Sequence, residues 1–326
     1  MSQKEVAETN TGNAPEKFFT KPLIIIFVTI FIDLVGFGVA IPVLPAYAKN
    51  EFGASPFVIG WLVASYSIMQ FISTPFLGQL SDKYGRRPIL FISLLGTSIA
   101  ALITGLSTTL WMLFFGRIFD GITGGNISTA QAYIADVTTR ENRAKGMGLI
   151  GAAFGLGFVF GPAIGGILSK FGPHAPFFFV SALAFTNAVL LYFILPESRK
   201  FSSDEMPEKR QGRLGDLAAM MKDSRFTLIT LIYFLLIVAF SIMTTVFVQY
   251  TAFRFNYSPE QNGYLFAYIG ILAIVLQGGI FARLAKVIGE TWLTVIGCLL
   301  LAASLFAVPF VGPAAGGLTA LLIGIA

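Results

Sequence analysis

Charge is scarce in this chain. Only 12% of its residues are Asp, Glu, Lys or Arg, against 55% that are hydrophobic, which is about half the charged share of an ordinary soluble domain. With a mean hydropathy of +0.77, a soluble globular protein is excluded. The single cysteine, Cys298, lies in an apolar run and can form no internal disulfide. Nothing in the sequence reads as a metal cluster, a nucleophile triad or a phosphate-binding loop, so an enzyme and an ATP-driven pump are excluded and no cofactor or metal is called for. The first twenty residues are polar and mixed in charge, without a short apolar core or small-residue cleavage site. They are therefore not expected to be a secretory signal; the first hydrophobic span is expected to direct insertion.

Long hydrophobic runs fill the chain instead. Stretches of about 20 apolar residues, enough to cross a bilayer as helices, lie near 22–45, 57–79, 89–108, 110–136, 147–169, 175–195, 225–250, 261–282 and 292–311, and a tenth begins near Ala314. The reading is an all-α polytopic membrane protein. Its parts are a tail over 1–21, a six-helix bundle over 22–195, a polar central loop over 196–224 containing ESRKFSSDEMPEKRQGRLGD, and a partial second bundle over 225–326.

The cations set the orientation. With the N-terminus inside, the inner loops hold 18 of the 22 Lys and Arg residues, while Lys49, Lys170 and Arg254 lie outside and Arg117 alone falls within the membrane. Cytoplasmic loops carry an excess of Lys and Arg, so the N-terminus is expected in the cytoplasm of a plasma or inner membrane. The same bias accounts for the basic pI, and no nucleic-acid partner is needed.

Between the second and third spans stands GQLSDKYGRRPIL, from Gly78 to Leu90. Its pattern, Gly78, Asp82, Gly85, Arg86 and Arg87 at that spacing and position, resembles the signature loop of the major facilitator superfamily of secondary transporters. The resemblance implies a fold of two pseudo-symmetric helical bundles of six spans each, the second apparently truncated here. It also implies a repeat of the loop in the second half. Ala282, Lys286, Gly289 and Glu290 do stand 204 residues after Gly78, Asp82, Gly85 and Arg86, a degraded copy at the expected place.

The first span carries Asp33 about 16 Å deep at 1.5 Å per residue, where a carboxylate costs about 3 kcal/mol unless paired or hydrated. Burial favours its neutral form, which makes Asp33 a candidate proton carrier; the other reading is a structural carboxylate held by an intramembrane partner. Its context, DLVGFGVAIPVLP with Gly36, Gly38, Pro42 and Pro45, resembles the first span of drug and tetracycline/proton antiporters. In the fourth span Arg117 and Asp120 are three residues apart on one helical face and can pair. Arg117 with Gly121 resembles the superfamily's fourth-span arginine motif, which implies a part in proton relay. Asp120 either neutralises Arg117 or joins the coupling.

Gly157, Gly161, Pro162, Gly165 and Gly166 lie in GLGFVFGPAIGG of the fifth span. Glycines at this spacing let a neighbouring backbone approach closely, and the G-P-x-x-G-G arrangement resembles the motif of antiporter-type exporters. In the signature loop, Asp82 is a candidate inner gate with Arg86, Arg87 and Arg143 as partners, although those arginines also serve to set topology. In the family this clamp closes on an eleventh span, beyond the ten counted here. Gln70, Asn126, Gln131, Gln249 and Gln277, with aromatics nearby, are candidate substrate contacts. Each amide, like Asn187, is otherwise an interhelical hydrogen bond. His174 in HAPF reads as structural. HAPF also occurs at this point in tetracycline transporters, and the likeness runs from about Leu23 to Lys200. One departure is Ala100, which stands where those transporters carry an acidic residue in the third span and puts tetracycline itself in question.

Taken together, the sequence reads as a monomeric exporter of small lipophilic molecules in exchange for protons, working by alternating access in the lipid bilayer. Two rival readings share its features: a proton-coupled nutrient importer, and a transport-inactive truncated membrane protein.

Overall fold

Backbone groups in a bilayer must be satisfied within the chain, and helices do this segment by segment. The computed structural model, which describes residues 20–198, 220–276, 280–312, 317 and 322, is built from such helices. In chain order they are α1 (Lys21–Phe52), α2 (Pro56–Tyr84), α3 (Arg86–Gly105), α4 (Leu110–Thr123), α5 (Asn126–Val137), α6 (Arg140–Leu168), α7 (Ala175–Ile194), α8 (Ser224–Arg254), α9 (Pro259–Val275), α10 (Phe281–Ile288) and α11 (Glu290–Ala307). Among the described residues, six segments are long and apolar enough to cross a membrane: α1, α2, α3, Lys145–Phe171, α7 and α8.

The ends of these helices follow local chemistry. Pro56 opens α2 behind Ser55, whose hydroxyl accepts from the Val58 amide, and Ser258 with Gln261 forms a reciprocal cap on α9 with Pro259 in its first turn. Proline suits a first turn, where its missing N–H has no partner to lose. The reversal between α2 and α3 takes a single residue, Gly85, at φ 104°, a backbone angle that only glycine adopts freely. Gly289, between α10 and α11, repeats it at φ 87°. The 204-residue offset of the two loops is thus a real repeat of backbone geometry.

The fourth span departs from the expected single helix over 110–136. It is two helices, α4 and α5, parted at Gly124 and Gly125. Room decides this: a methyl group on Gly125 would stand 2.5 Å from Leu77, and one on Gly124 would stand 3.0 Å from the Asp120 carbonyl. The carbonyl freed at Gly124 accepts a hydrogen bond from Gln70 Nε2 at 3.0 Å, which is how a broken helix survives at membrane depth. The span expected over 261–282 is α-helical to Val275 and again from Phe281, with Leu276 and Ile280 in π-helical turns and residues 277–279 outside the described ones.

Helices α1 to α7 pack together, chiefly α1 on α6, α3 on α7, and α2 on α4. Leu23, Ile26, Leu90, Tyr133, Ile134 and Leu191 form a buried cluster at the end of this bundle that carries Gly78–Leu90, hereafter the loop end. At the far end, Tyr47 is buried against Phe52 and Phe177. Its hydroxyl donates to the Ser107 carbonyl at 2.8 Å and lies 3.0 Å from His174 Nδ1, which also sits 2.8 Å from the Gly105 carbonyl. His174 is therefore part of the packing at that end.

Between helices in lipid, small residues and close backbone contact replace the hydrophobic drive of a soluble core. The glycine stripe of α6 provides both. A methyl group on Gly161 would stand 2.7 Å from the Gly38 Cα of α1, and one on Gly165 2.8 Å from the Val39 carbonyl. On the other side, Gly166 meets Gly263 of α9, where an added methyl would stand 3.0 Å from the facing Cα. Lys170 Nζ to Glu260 Oε1, at 2.9 Å, joins the same two regions just beyond.

Candidate functional site

Two polar clusters interrupt this apolar frame. The first surrounds a cavity at mid-bundle to which α1, α2, α3, α4 and α7 all contribute. Asp33 projects into it from α1, Tyr66 from α2, Thr97 and Ala100 from α3, and Arg117 and Asp120 from α4. Asp33 accepts a hydrogen bond from Asn126 Nδ2 at 2.7 Å. Among the described residues no salt bridge reaches it, because the one nearby cation is otherwise engaged: Arg117 pairs with Asp120 at 3.3 Å and lies over the Tyr66 ring, 4.3 Å from its centroid. A guanidinium over an aromatic face is attracted by the ring quadrupole, and the Thr97 hydroxyl further supports Asp120.

Charge arithmetic gives this cavity its chemistry. With both carboxyls ionised, one positive charge faces two negative ones at membrane depth, where unpaired charge is costly. One added proton makes the cavity neutral. The group positioned to take it is Asp33, whose partner is a neutral amide rather than a cation.

The candidate amides do not share one pocket. Gln70 donates to the Tyr66 hydroxyl at 2.8 Å and to Gly124, so it ties the helix break to the ring under Arg117. Asn126 serves Asp33. Gln131 is exposed on α5, Gln249 bonds its own helix at the Thr245 carbonyl, and Gln277 lies outside the described residues. Ala100 is 1% exposed and lines the same cavity as Asp120.

The second cluster sits at the loop end. Arg86 Nη1 reaches Asp82 Oδ1 at 2.7 Å and the Ser81 hydroxyl at 2.7 Å, while Nε reaches Asp136 Oδ2 of α5 at 3.1 Å. Glu197, just past α7, accepts from the backbone amides of Arg86 and Arg87 at 2.8 and 3.1 Å. The first-turn amides of a helix lack intrahelical partners, and its N-terminus carries partial positive charge, so a carboxylate there satisfies both needs. Arg87 donates to the Tyr192 carbonyl and lies over the Tyr192 ring. Arg143 donates to the Ala135 carbonyl at 3.1 Å.

Several of these residues escape sequence reasoning. Asp136 and Glu197 lie 50 and 111 residues from Arg86, outside the motif that marks Asp82 and the arginines. Glu197 did offer a signal, as the first carboxylate after the sixth span in a stretch otherwise notable for Lys and Arg. Tyr66 offers none beyond being a tyrosine flanked by Ser65 and Ser67 in an apolar helix.

Apolar helices of this kind, packed around an ionisable cavity with a charged cluster at one end, define a polytopic membrane protein. Residues 26–326 match the family described as the Major Facilitator Superfamily. The class H tetracycline resistance protein of Pasteurella multocida is 36% identical over 295 residues, covering 86% of this chain and 73% of that protein. Multidrug resistance protein 2 of Bacillus subtilis is 34% identical over 271 residues, covering 82% and 67%. Among solved structures, the human organic anion transporter MFSD10 (TETRAN) superposes with a TM-score of 0.70 at 25% identity, covering 96% of this chain and 83% of that one. The chain belongs to the Major Facilitator Superfamily, and it is a multi-pass membrane transporter, not an enzyme.

Proposed function

We propose that this protein exports small lipophilic molecules in exchange for protons by alternating access, from a plasma membrane in which its N-terminus is cytoplasmic. The observation that carries the reading is Asp33, a carboxyl at membrane depth held by the Asn126 amide on a cavity whose cation is already shared with Asp120 and Tyr66. Such a group takes and sheds a proton without breaking an ion pair. The names of the relatives, tetracycline and multidrug resistance proteins, support export of drugs. The aromatic walls supplied by Phe37, Tyr66 and Phe177 suit lipophilic cargo.

In the proposed cycle, Asp33 is protonated from the outer side while cargo leaves. The neutral cavity lets the two halves rock over the glycine contacts of α6, and Asp33 then releases its proton inward as new cargo binds. Arg117 and Asp120 set the charge balance, and Gln249 and Gln277 are second-half cargo contacts. Asp82, Arg86 and the loop-end network hold the inner side closed when the cavity faces outward. One proton moving down about 150 mV supplies about 3.5 kcal/mol, enough for a cargo gradient of a few hundred-fold.

Asp120 also bears on the missing acid at Ala100. Both residues line one cavity, so α4 supplies the carboxyl that the resemblance led us to expect on α3, and the cargo range follows that shift. The test is proton-driven accumulation of ethidium in everted vesicles, or its efflux from cells. Asp33→Asn is expected to fold normally and to lose efflux driven by a pH difference. Wild-type efflux by that variant ends the proton assignment, and entry of cargo together with protons favours the importer reading.

A further inference from the structure

One turn from Asp33 toward the loop end, four helices each bring a small polar side chain into the buried cluster of the bundle. Thr29 of α1 is 0% exposed, Ser93 of α3 1%, Thr129 of α5 0% and Asn187 of α7 2%. Each is followed in sequence by a buried apolar residue of that cluster: Ile30, Leu94, Ala130 and Ala188.

Their common level follows from register. Asn126 bonds Asp33, and α1 and α5 run antiparallel, since Leu23 and Ile26 share the loop-end cluster with Tyr133 and Ile134. Three residues on from Asn126 and four back from Asp33, Thr129 and Thr29 come level, about 5–6 Å along the axis. Helices α3 and α7 also run antiparallel. Ser98 bonds the Ser181 carbonyl and Phe91 stacks near Tyr192, so Ser93 falls beside the turn of α7 that contains Asn187. Thr29 Oγ1 closes the set by donating to Asn187 Oδ1 at 3.4 Å.

The side chains of this layer hold more polar atoms than they satisfy. Ser93 Oγ, Thr129 Oγ1 and Asn187 Nδ2, with Asn126 Oδ1 one turn away, are buried and have no hydrogen-bond partner among the described residues. Buried polar groups in folded proteins are paired with protein or ordered water. The mixture of groups selects the ligand: two hydroxyls, one obligate acceptor and one obligate donor. An anion would leave the amide oxygen unserved, and a cation would leave the amide N–H unserved. Water both donates and accepts, and internal waters commonly bridge two to four such groups.

We infer that Thr29, Ser93, Thr129 and Asn187 form a buried hydration site in the first bundle, whose waters donate to Asn126 Oδ1 and so hold the Asn126 amide with its N–H turned to Asp33. Asn126 is then a positioning residue, fixed on one side by the carboxyl and on the other by water. The link to coupling rests on the proton role proposed for Asp33; the hydration site itself does not. The other ionisable groups facing Asp33 across the cavity are Asp120, Arg117 and Tyr66, and none belongs to this layer.

The experiment measures thermal unfolding of the full chain in detergent for Ser93→Ala, Thr129→Val and the Ser93→Ala/Thr129→Val pair. If waters bridge these groups, each single change lowers Tm by about 2–5 °C, and the pair loses less than the sum because the waters are shared. If no water is bound, deleting an unpartnered polar group raises Tm or leaves it unchanged, and either result overturns the inference. Thr129→Ser keeps the oxygen and should restore Tm. A second arm records the pH profile of ethidium efflux. Its midpoint should shift in Thr129→Val and return in Thr129→Ser, and an unmoved midpoint removes the link to Asn126. If Asp33→Asn retains proton-driven efflux, the coupling role fails while the Tm result still decides the hydration site.

Discussion

Gly85 and Gly289 make the same turn under different burdens. Both have positive φ, and both donate a backbone hydrogen bond to the helix they close, Gly85 to the Ser81 carbonyl and Gly289 to Ala285. Around Gly85 the chain has built a network. A methyl group there would stand 2.5 Å from a Glu197 carboxylate oxygen, whereas one on Gly289 would meet nothing within 4 Å. Arg86 after the first glycine is nearly buried and holds two carboxylates, and Lys286 before the second is exposed. The same backbone turn thus serves with a dense charged network at Gly85 and, among the described residues, with open space at Gly289.

That contrast can be broken by experiment, beginning with the largest expected effect. Gly85→Ala should cost about 3 kcal/mol, because strain at positive φ adds to the loss of two charge-assisted bonds when Glu197 is displaced. Thermal unfolding in detergent should show a fall of roughly 6–12 °C, together with loss of ethidium efflux. A mild effect there would make the network around Gly85 incidental. Glu197→Gln keeps the shape and one acceptor but removes the charge at the α3 N-terminus, and should lower stability by about 1–2 kcal/mol. Full stability in that variant would mean that the cap is replaceable by solvent. Gly289→Ala carries strain alone, about 1 kcal/mol, and dye efflux should persist; a collapse equal to that of Gly85→Ala would erase the difference between the turns. Smallest of all, Lys170→Met removes an exposed ion pair of the kind that contributes little. Tm should stay within error while the far-end contact between α6 and α9 holds on its glycines. A large fall would transfer that contact from backbone to charge.

Much of this architecture was legible in the residues. Six of the spans, the signature loop, the Arg117–Asp120 pair and the close approach at Gly157, Gly161 and Gly165 follow from spacing, because helical period and side-chain size act locally. What stayed hidden depends on partners far away in sequence. The break at Gly124–Gly125 lies within a stretch long enough for one span, and Leu77 and Gln70 of another helix show how the broken backbone is accommodated. Asp136 and Glu197 are single carboxylates that take meaning from Arg86 across the bundle. The amides read alike in sequence, yet Gln70 and Asn126 have structural partners in the first half while Gln131 lies on an exposed face.

The bare meeting of Gly166 and Gly263 has a consequence for how such a chain can evolve. With only hydrogens where these two helices meet, neither glycine can grow without the other helix backing away, so accepted changes there should come in compensating pairs or not at all.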